Sequence, residues 1–438
     1  MKKWKAVMVT ALAAMTVVGF TACSGGNPAP GGSTGSSTGG GAASSSAAAP
    51  ITLSYWNGFT GPDGPAMLAV IDAFNKSQSE VVIENQTMPW DQFYQKFLAA
   101  ASSSGGPNII GVDPSYIRQY AKMGAVVSTD DFYTANPDIT KNLATTAIDV
   151  SKYDGKNYGV PMNQTTLMAY YNKDMFEKAG ITSFPKTWDE LAADVPKLTV
   201  MGPNGTPTQY AMGLPVHDTV QVLPMFFWGN GGDVVSQDGK TSMLGDQATI
   251  DAMNFWTDLA VNKKMSPIGI SGAEADKLFQ SGTAAIDITG PWMTSGFTEA
   301  GINYDVAPIP AGPKGAFNFA SIVSFGITSS CTPEQKAAAE KFFAYWLTEE
   351  SQVTWSNGSG FPPTLTNVPV SKLTNAFTAK FGDPALMASS KVYLNQVSVS
   401  GLDTNLVVPA LTRVLNGESA ATVFPEASKQ IQQALDAG

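Results

Sequence analysis

The most constraining feature of the sequence is a polar crossing between two apolar runs in residues 155–174. A turn at Tyr153, Asp154, Gly155 and Lys156 opens it, where Gly155 can take positive φ at no steric cost. An extended run, 157–162, follows, with Pro161 holding Val160 out of the helical region. After Asn163, Gln164, Thr165 and Thr166 a second apolar run, 167–171, begins, and Asn172, Lys173 and Asp174 close it. Such a strand passes from one body of structure into another. Polar residues at the crossing, Asn163 and Thr165 above all, are expected to line a cleft between two lobes, because ligand sites favour inter-domain clefts and the carboxyl ends of strands. Length agrees: 438 residues exceed one ordinary hydrophobic core.

The first lobe is expected to begin at Ile51. Residues 51–56 alternate as a strand, and a glycine-rich loop, 57–64, leads to Pro65 at the first turn of a helix. Met67, Val70, Ile71 and Phe74 give that helix its buried face. A strand at 81–84 follows, then a helix that Asp91 would cap, with Tyr94, Phe97, Leu98 and Ala101 on one stripe, then a third strand at 107–112 ending at Asp113. This β-α-β-α-β order predicts a mostly parallel sheet with helices on its faces. Farther on, Thr187 and Glu190 read as a capping box, as do Thr332 and Gln335. Asp238 and Gly239 turn a hairpin over 234–244, and a strand over 280–288 runs into Gly290, Pro291 and Trp292.

The two ends of the charge argument are the first and the mature parts of the chain. Lys2, Lys3 and Lys5 precede an apolar run, 6–20, too short to span a membrane, and the sequence reads as an export signal ending at Cys23. Phe20, Thr21, Ala22 and Cys23 resemble a bacterial lipobox, which makes Cys23 the lipidated N-terminus. Residues 24–50 contain no charge and no large apolar side chain, and form a tether spanning about 30 Å as a coil. Without the signal, three fewer than 26 basic residues face 36 acidic ones, which excludes a nucleic-acid footprint. With one histidine, His217, and two cysteines, Cys23 and Cys331, a zinc site of the usual type, a Ser-His-Asp triad or a Cys-His pair would each hang on that single histidine, so no metal and no cofactor is expected, and whether His217 touches a ligand is left open. No carboxylate pair is singled out for glycoside hydrolysis, and the chain is read as a non-enzyme.

Tryptophan stands repeatedly beside glycine, proline, Asn or Asp at the ends of predicted elements: Trp56 with Asn57, Trp90 with Asp91, Trp228 before Gly229, and Trp292 after Pro291. An aromatic ring covers the C–H face of a sugar at low conformational cost, and carboxylates and amides bond its hydroxyl rim. Trp188, Trp256 and Trp346 sit at helical spacing and belong to the core. Trp292, in a Gly-Pro turn just after a strand, is the strongest ligand candidate.

The ordered set 159–162 (Gly-Val-Pro-Met), 171–174 (Tyr-Asn-Lys-Asp), 184–191, 279–286, 289–292 (Thr-Gly-Pro-Trp), 304–310, 338–347 and 360–363 (Gly-Phe-Pro-Pro) resembles the extracellular solute-binding proteins of ABC importers, family 1, maltose-binding-protein-like sugar-binding lipoproteins. The resemblance implies an α/β, two-lobed periplasmic-binding-protein-like fold with hinge strands and a ligand cleft, lobe 1 being 51–162 plus 308–356 and lobe 2 165–305 plus 360–438. It also implies ligand contacts at Trp56, Asn57, Trp90, Asp91, Asp113, Asn163, Thr165, Trp292, Gly360, Phe361, Asp403 and Asn405, to which the aromatic helix end adds Trp228. It implies a monomer that captures a carbohydrate and delivers it to permease subunits from a lipid anchor on the outer face of the membrane, in a Gram-positive envelope. Around Asp403 and Asn405 the aromatic cluster that maltodextrin binding uses in the family has no counterpart. The alternatives are a polysaccharide-hydrolysing or polysaccharide-adhering lipoprotein, and a binder of a polyamine or a metal chelate.

Overall fold

A computed structural model describes residues 49–101, 105–217, 222–394 and 401–437. The export signal, Cys23 and all of the tether but its last two residues lie outside them.

The first sheet grows from the predicted β-α-β-α-β unit. Strands β1 (Ile51–Asn57) and β2 (Val81–Thr87) pair in parallel, and β1 pairs in parallel with β3 (Ile109–Val112). The helix Gly64–Ser77 carries Pro65 in its first turn and buries Met67, Val70, Ile71 and Phe74, as the spacing requires. Leu53 and Tyr55 meet that face, together with Phe342, Phe343 and Trp346 of the helix Pro333–Trp346, which opens with the predicted reciprocal capping box of Thr332 and Gln335. Ile110 and Val112 point to the opposite face, against Phe93, Phe97 and Tyr120. Both faces of β3 are therefore covered, which is why it reads as a continuous apolar run, whereas β1 alternates.

A small hairpin, β4 (Lys152–Tyr153) and β5 (Lys156–Asn157), turns at Asp154 and Gly155, both at positive φ. The predicted crossing follows. Strand β6 (Val160–Thr166) belongs to the first sheet, and after the single residue Leu167 the chain enters β7 (Met168–Asn172) of the second. That sheet has the order β11-β7-β10-β9-β8, with β8 (Val200–Met201), β9 (Pro207–Met212), β10 (Ala284–Thr289) and β11 (Tyr304–Ala307). Strand β12 (Asn318–Ile327) returns to the first sheet, antiparallel to both β6 and β3, with a register shift at Val323/Ser324. A short β13 (Ser390–Lys391) pairs with the start of β12. Two adjacent antiparallel strands, β6 and β12, thus carry the chain between the sheets.

Several sequence-based expectations move. Asp91 does not cap its helix: Pro89 takes that position in Trp90–Ala100, and Asp91 lies in the first turn. Of the predicted stripe, Phe97 is buried with Phe93, but Tyr94 and Leu98 turn to a cavity. Thr187 accepts from the Glu190 amide, yet the Glu190 side chain bonds Lys186 N–H, so the box is shifted by one residue. The start of lobe 1 at 308 is too early, because Ile309 is buried in the second lobe's core and Ala311 bridges Thr187. Phe361, Leu365 and Val368, assigned to lobe 2, pack in the first lobe's core beside Trp355, and Leu143 bridges Leu365.

Candidate functional site

Parallel strands aim their carboxyl ends at one place. Immediately after β1 come Gly58 to Asp63, after β3 Asp113 and Tyr116, after β9 His217, and after β10 Trp292, and all of these line one cavity of about 920 Å³. Ser321 to Val323 of β12, from the strand ribbon that joins the sheets, form part of its wall, and Phe361, Tyr393 and Asp403 complete it. A cavity at the carboxyl ends of two sheets, of a size suited to a small ligand, is the expected position for a binding site in an open α/β fold.

Rings form two groups on its walls. In the first, Tyr94 and Tyr116 stack with centroids 3.8 Å apart and an interplanar angle of 10°, and Trp90 stacks on Tyr94 at 5.8 Å. In the second, Trp292 faces Phe361 at 5.8 Å, and Phe361 is held by Trp355 at 5.2 Å. Glycine makes both possible. A Cβ on Gly58 would fall 2.1 Å from the Trp90 ring, and one on Gly290 would fall 1.9 Å from the Trp292 ring. At Gly290 the glycine beside tryptophan in the sequence is therefore a packing requirement, and at Gly58 the requirement is set by a tryptophan 32 residues farther along the chain.

The polar rim is acidic. Asp63 is only 5% exposed, and burial, with the nearby Asp276 charge adding, pushes its carboxyl up to about 7. Asp113 caps the helix Pro114–Lys122, accepting from Ser115 N–H at 2.8 Å and Ser115 Oγ at 2.5 Å. Burial still raises it to about 6. Asp276, on the helix Gly272–Gln280, is raised by burial to about 6, and the fully buried Asp287 beside it is raised further, by burial first and then by the Asp276 charge. Asp91 and Asp403 line the same space, and Tyr393 Oη donates to Asp403 Oδ1 at 2.8 Å.

Of the sequence-derived candidates, Trp90, Asp91, Asp113, Trp292, Phe361, Asp403 and Asn405 meet at the cavity. The others do not line it. Asn57 is fully buried, donating to Asn85 Oδ1 at 2.6 Å and accepting from Phe59 N–H at 3.2 Å, so it shapes the loop behind the wall. Trp56 packs in the same cluster as Phe93, Phe97 and Tyr120, behind the cavity wall. Trp228 is buried in the second lobe's core, with the Lys391 ammonium 5.4 Å from its ring centre. Gly360 ends the helix Glu349–Ser359 at φ +79°. Asn163 and Thr165 are fully buried within β6, where Asn163 Oδ1 accepts from Val323 N–H at 3.0 Å and Thr165 Oγ1 bonds the Thr166 carbonyl. The crossing is polar because two strands meet there at a register shift, where the Asn163 oxygen and the Thr165 hydroxyl bond the backbone, while Asn163 Nδ2 has no hydrogen-bond partner among the described residues.

Sequence reasoning missed Phe59, Asp63, Tyr94, Tyr116, Asp276 and Tyr393. The glycine-rich loop 57–64 was a signal for the first two. Nothing local marks Asp276, one acid in a helix whose Phe279 side is buried. His217, left open by the sequence, lines the cavity, and its carbonyl accepts from Gly272 N–H at 3.2 Å. Among the described residues no group of three or more His, Cys, Asp or Glu is placed to hold a metal ion.

Comparison with known proteins gives a coherent picture. A family model described as bacterial extracellular solute-binding protein matches residues 59–353. A Brucella abortus protein described only as a binding protein is 27% identical over 315 residues, 70% of this chain and 74% of that one. A maltooligosaccharide ABC transporter solute-binding lipoprotein of Streptococcus pneumoniae is 30% identical over 239 residues, 51% of this chain and 52% of its own. The crystal structure of UgpB from Mycobacterium tuberculosis with glycerophosphocholine superposes with a TM-score of 0.78 at 22% identity, covering 89% of this chain and 99% of that one.

Proposed function

Since the chain belongs to the bacterial extracellular solute-binding protein family, we propose that it captures a sugar or oligosaccharide between its lobes and delivers it to the permease of an ABC importer. The observation that carries this reading is the cavity: two sets of aromatic faces, Trp90-Tyr94-Tyr116 and Trp292-Phe361, beside a rim of carboxyl groups. Rings stack on the C–H faces of a pyranose while Asp91, Asp113 and Asp403 accept from its hydroxyls. The maltooligosaccharide specificity of the pneumococcal relative supports a carbohydrate ligand.

Binding works by population shift. A ligand that touches both lobes only when they are closed favours the closed form by that difference in affinity, and the closed surface is what the permease recognises. Strands β6 and β12 are the connection about which the lobes would move. Cys23 carries the lipid that holds the protein at the membrane surface. No catalytic step is assigned to the site.

The test is a thermal-shift screen of the full chain against mono- and oligosaccharides, with amino acids and polyamines as controls. A ligand at 100 times its Kd should stabilise the protein by about 2.7 kcal/mol. A saturable shift with one sugar class supports the reading, and silence with every sugar removes it.

A further inference from the structure

The walls of the cavity follow helices along their length. In the first lobe, Trp90, Tyr94 and Leu98 line it from the helix Trp90–Ala100, four residues apart and so on one stripe. From Trp90 to Leu98 that stripe puts about 12 Å of helix along the wall. In the second lobe, Ala273, Lys277 and Gln280 line it in the same way from the helix Gly272–Gln280. The volume agrees: about 920 Å³ lies near the top of the range of about 300–1,000 Å³ found for small-molecule sites.

The aromatic rings are spread along this wall. The group that ends at Tyr116 and the group that ends at Trp292 are joined by Phe59, which meets Trp90 at 5.7 Å and Trp355 at 5.6 Å and is turned 73° and 78° to them. Among the described residues no ring contact joins Trp292 directly to Trp90, Tyr94 or Tyr116. Trp292, Trp90, Tyr94 and Tyr116 are half-buried, whereas Phe59 and Phe361 are only 6% and 2% exposed. The cavity therefore has two separate aromatic platforms, Trp292 from the second lobe and Tyr116 from the first, with nearly covered rings between them.

We propose that the solute is an oligosaccharide of three or more sugar units, which lies along this wall with one unit against Trp292, one against Tyr116 and at least one between them. The inference rests on the sugar-binding reading above and selects among the ligands which that reading allows. A single pyranose covers one platform and leaves the other to water. Apolar burial scales with the area removed from water, so each unit that reaches a ring adds affinity, and units beyond both platforms add little. Length also serves closure. A chain seated on both platforms touches both lobes at once, which is the difference in contact that favours the closed form.

The experiment is calorimetric titration of the full chain with malto-, cello-, xylo- and manno-oligosaccharides and with any other sugar series that the thermal-shift screen picks out, each from one unit to six. The expected result, in the series that binds, is a Kd about 30-fold or more lower for the trisaccharide than for the monosaccharide, with little further gain beyond the length that covers both platforms. Tyr116→Ala should remove most of the gain from length while changing monosaccharide affinity by about twofold or less. Leu98→Arg, at an exposed position on the same wall, should also shrink that gain and serves alone if the first variant does not fold. A Kd that stops falling at one or two units overturns the inference and leaves the sugar receptor standing. A gain from length that both variants leave intact overturns the placement of the chain along this wall. Silence with every sugar overturns the inference and the receptor reading together.

Discussion

The crossing at 163–166 and the loop at 58–63 look alike in sequence. Both are polar or glycine-rich and both follow an apolar strand, but only the crossing was expected to meet a ligand. They have opposite fates. Asn163 and Thr165 are fully buried, with Asn163 bonded to the backbone of β12, whereas the loop delivers Phe59 and Asp63 to the cavity wall. The difference lies in what the flanking backbone needs. Inside a sheet, a register shift leaves amide groups that a nearby side chain must satisfy. Past the end of a strand the backbone is already free of the ladder, and side chains remain available to a solute.

The sharpest way to break this comparison is to remove a ring from the wall. Trp292→Ala should lower ligand affinity by about 30-fold or more, roughly 2 kcal/mol, with Trp292→Phe recovering much of it. An unchanged Kd in the alanine variant would take Trp292 out of the site. Next comes the crossing itself. Asn163→Ala removes the acceptor of the Val323 amide and should destabilise the fold by about 1–3 kcal/mol, read as a lower Tm or denaturation midpoint, with the Kd of the folded protein nearly unchanged. A large loss of affinity without loss of stability would return Asn163 to the ligand. A smaller effect is expected at Gly58. Gly58→Ala forces Trp90 off its position, so affinity should fall several-fold, and a titration indistinguishable from wild type would show that the Trp90 ring does not matter.

A further effect is in pH, and it bears on stability and not on affinity. Asp63 has a folded pKa above its unfolded one, so the folded state binds the extra proton between them. Its burial therefore costs stability that is absent below the unfolded value of about 4, develops as pH rises, and is complete above about 7. Denaturation of the free protein should show wild type losing stability relative to Asp63→Asn as pH rises from about 4 to about 7. A constant difference between the two across that range would mean that Asp63 titrates as an ordinary surface carboxylate.

Much of the fold could be read locally. The first parallel unit, its helix faces, the Thr332–Gln335 box and the turn at Gly155 follow from spacing and from residues with one dominant backbone habit. Lobe membership was less legible. Residues 308–317 and 360–368 lack strong periodicity, and contacts distant in sequence, Ala311 with Thr187 and Leu365 with Leu143, decide where they lie. At the site, tryptophan beside proline, glycine or aspartate at the end of an element was a usable signal for Trp90 and Trp292. The same signal misled at Trp228, where the ring continues an apolar helix into the core. Tyr94 shows the converse, a residue on a helical stripe that faces the cavity because Phe93 and Phe97 already fill the core side.

By itself, then, the sequence determined what short-range physics controls: where strands and helices start and stop, that one polar strand crosses between two apolar bodies, and that tryptophans stand beside glycine, proline or amide and acid residues at the ends of elements. The tertiary structure alone decided which polar groups are left over. The Asn163 side-chain oxygen is taken by an amide 160 residues farther along the chain, while Asp63 and Asp276, from distant parts of the chain, line one cavity. A side chain's availability to a ligand depends on whether a distant neighbour has already satisfied it, and that is a property of the packed molecule.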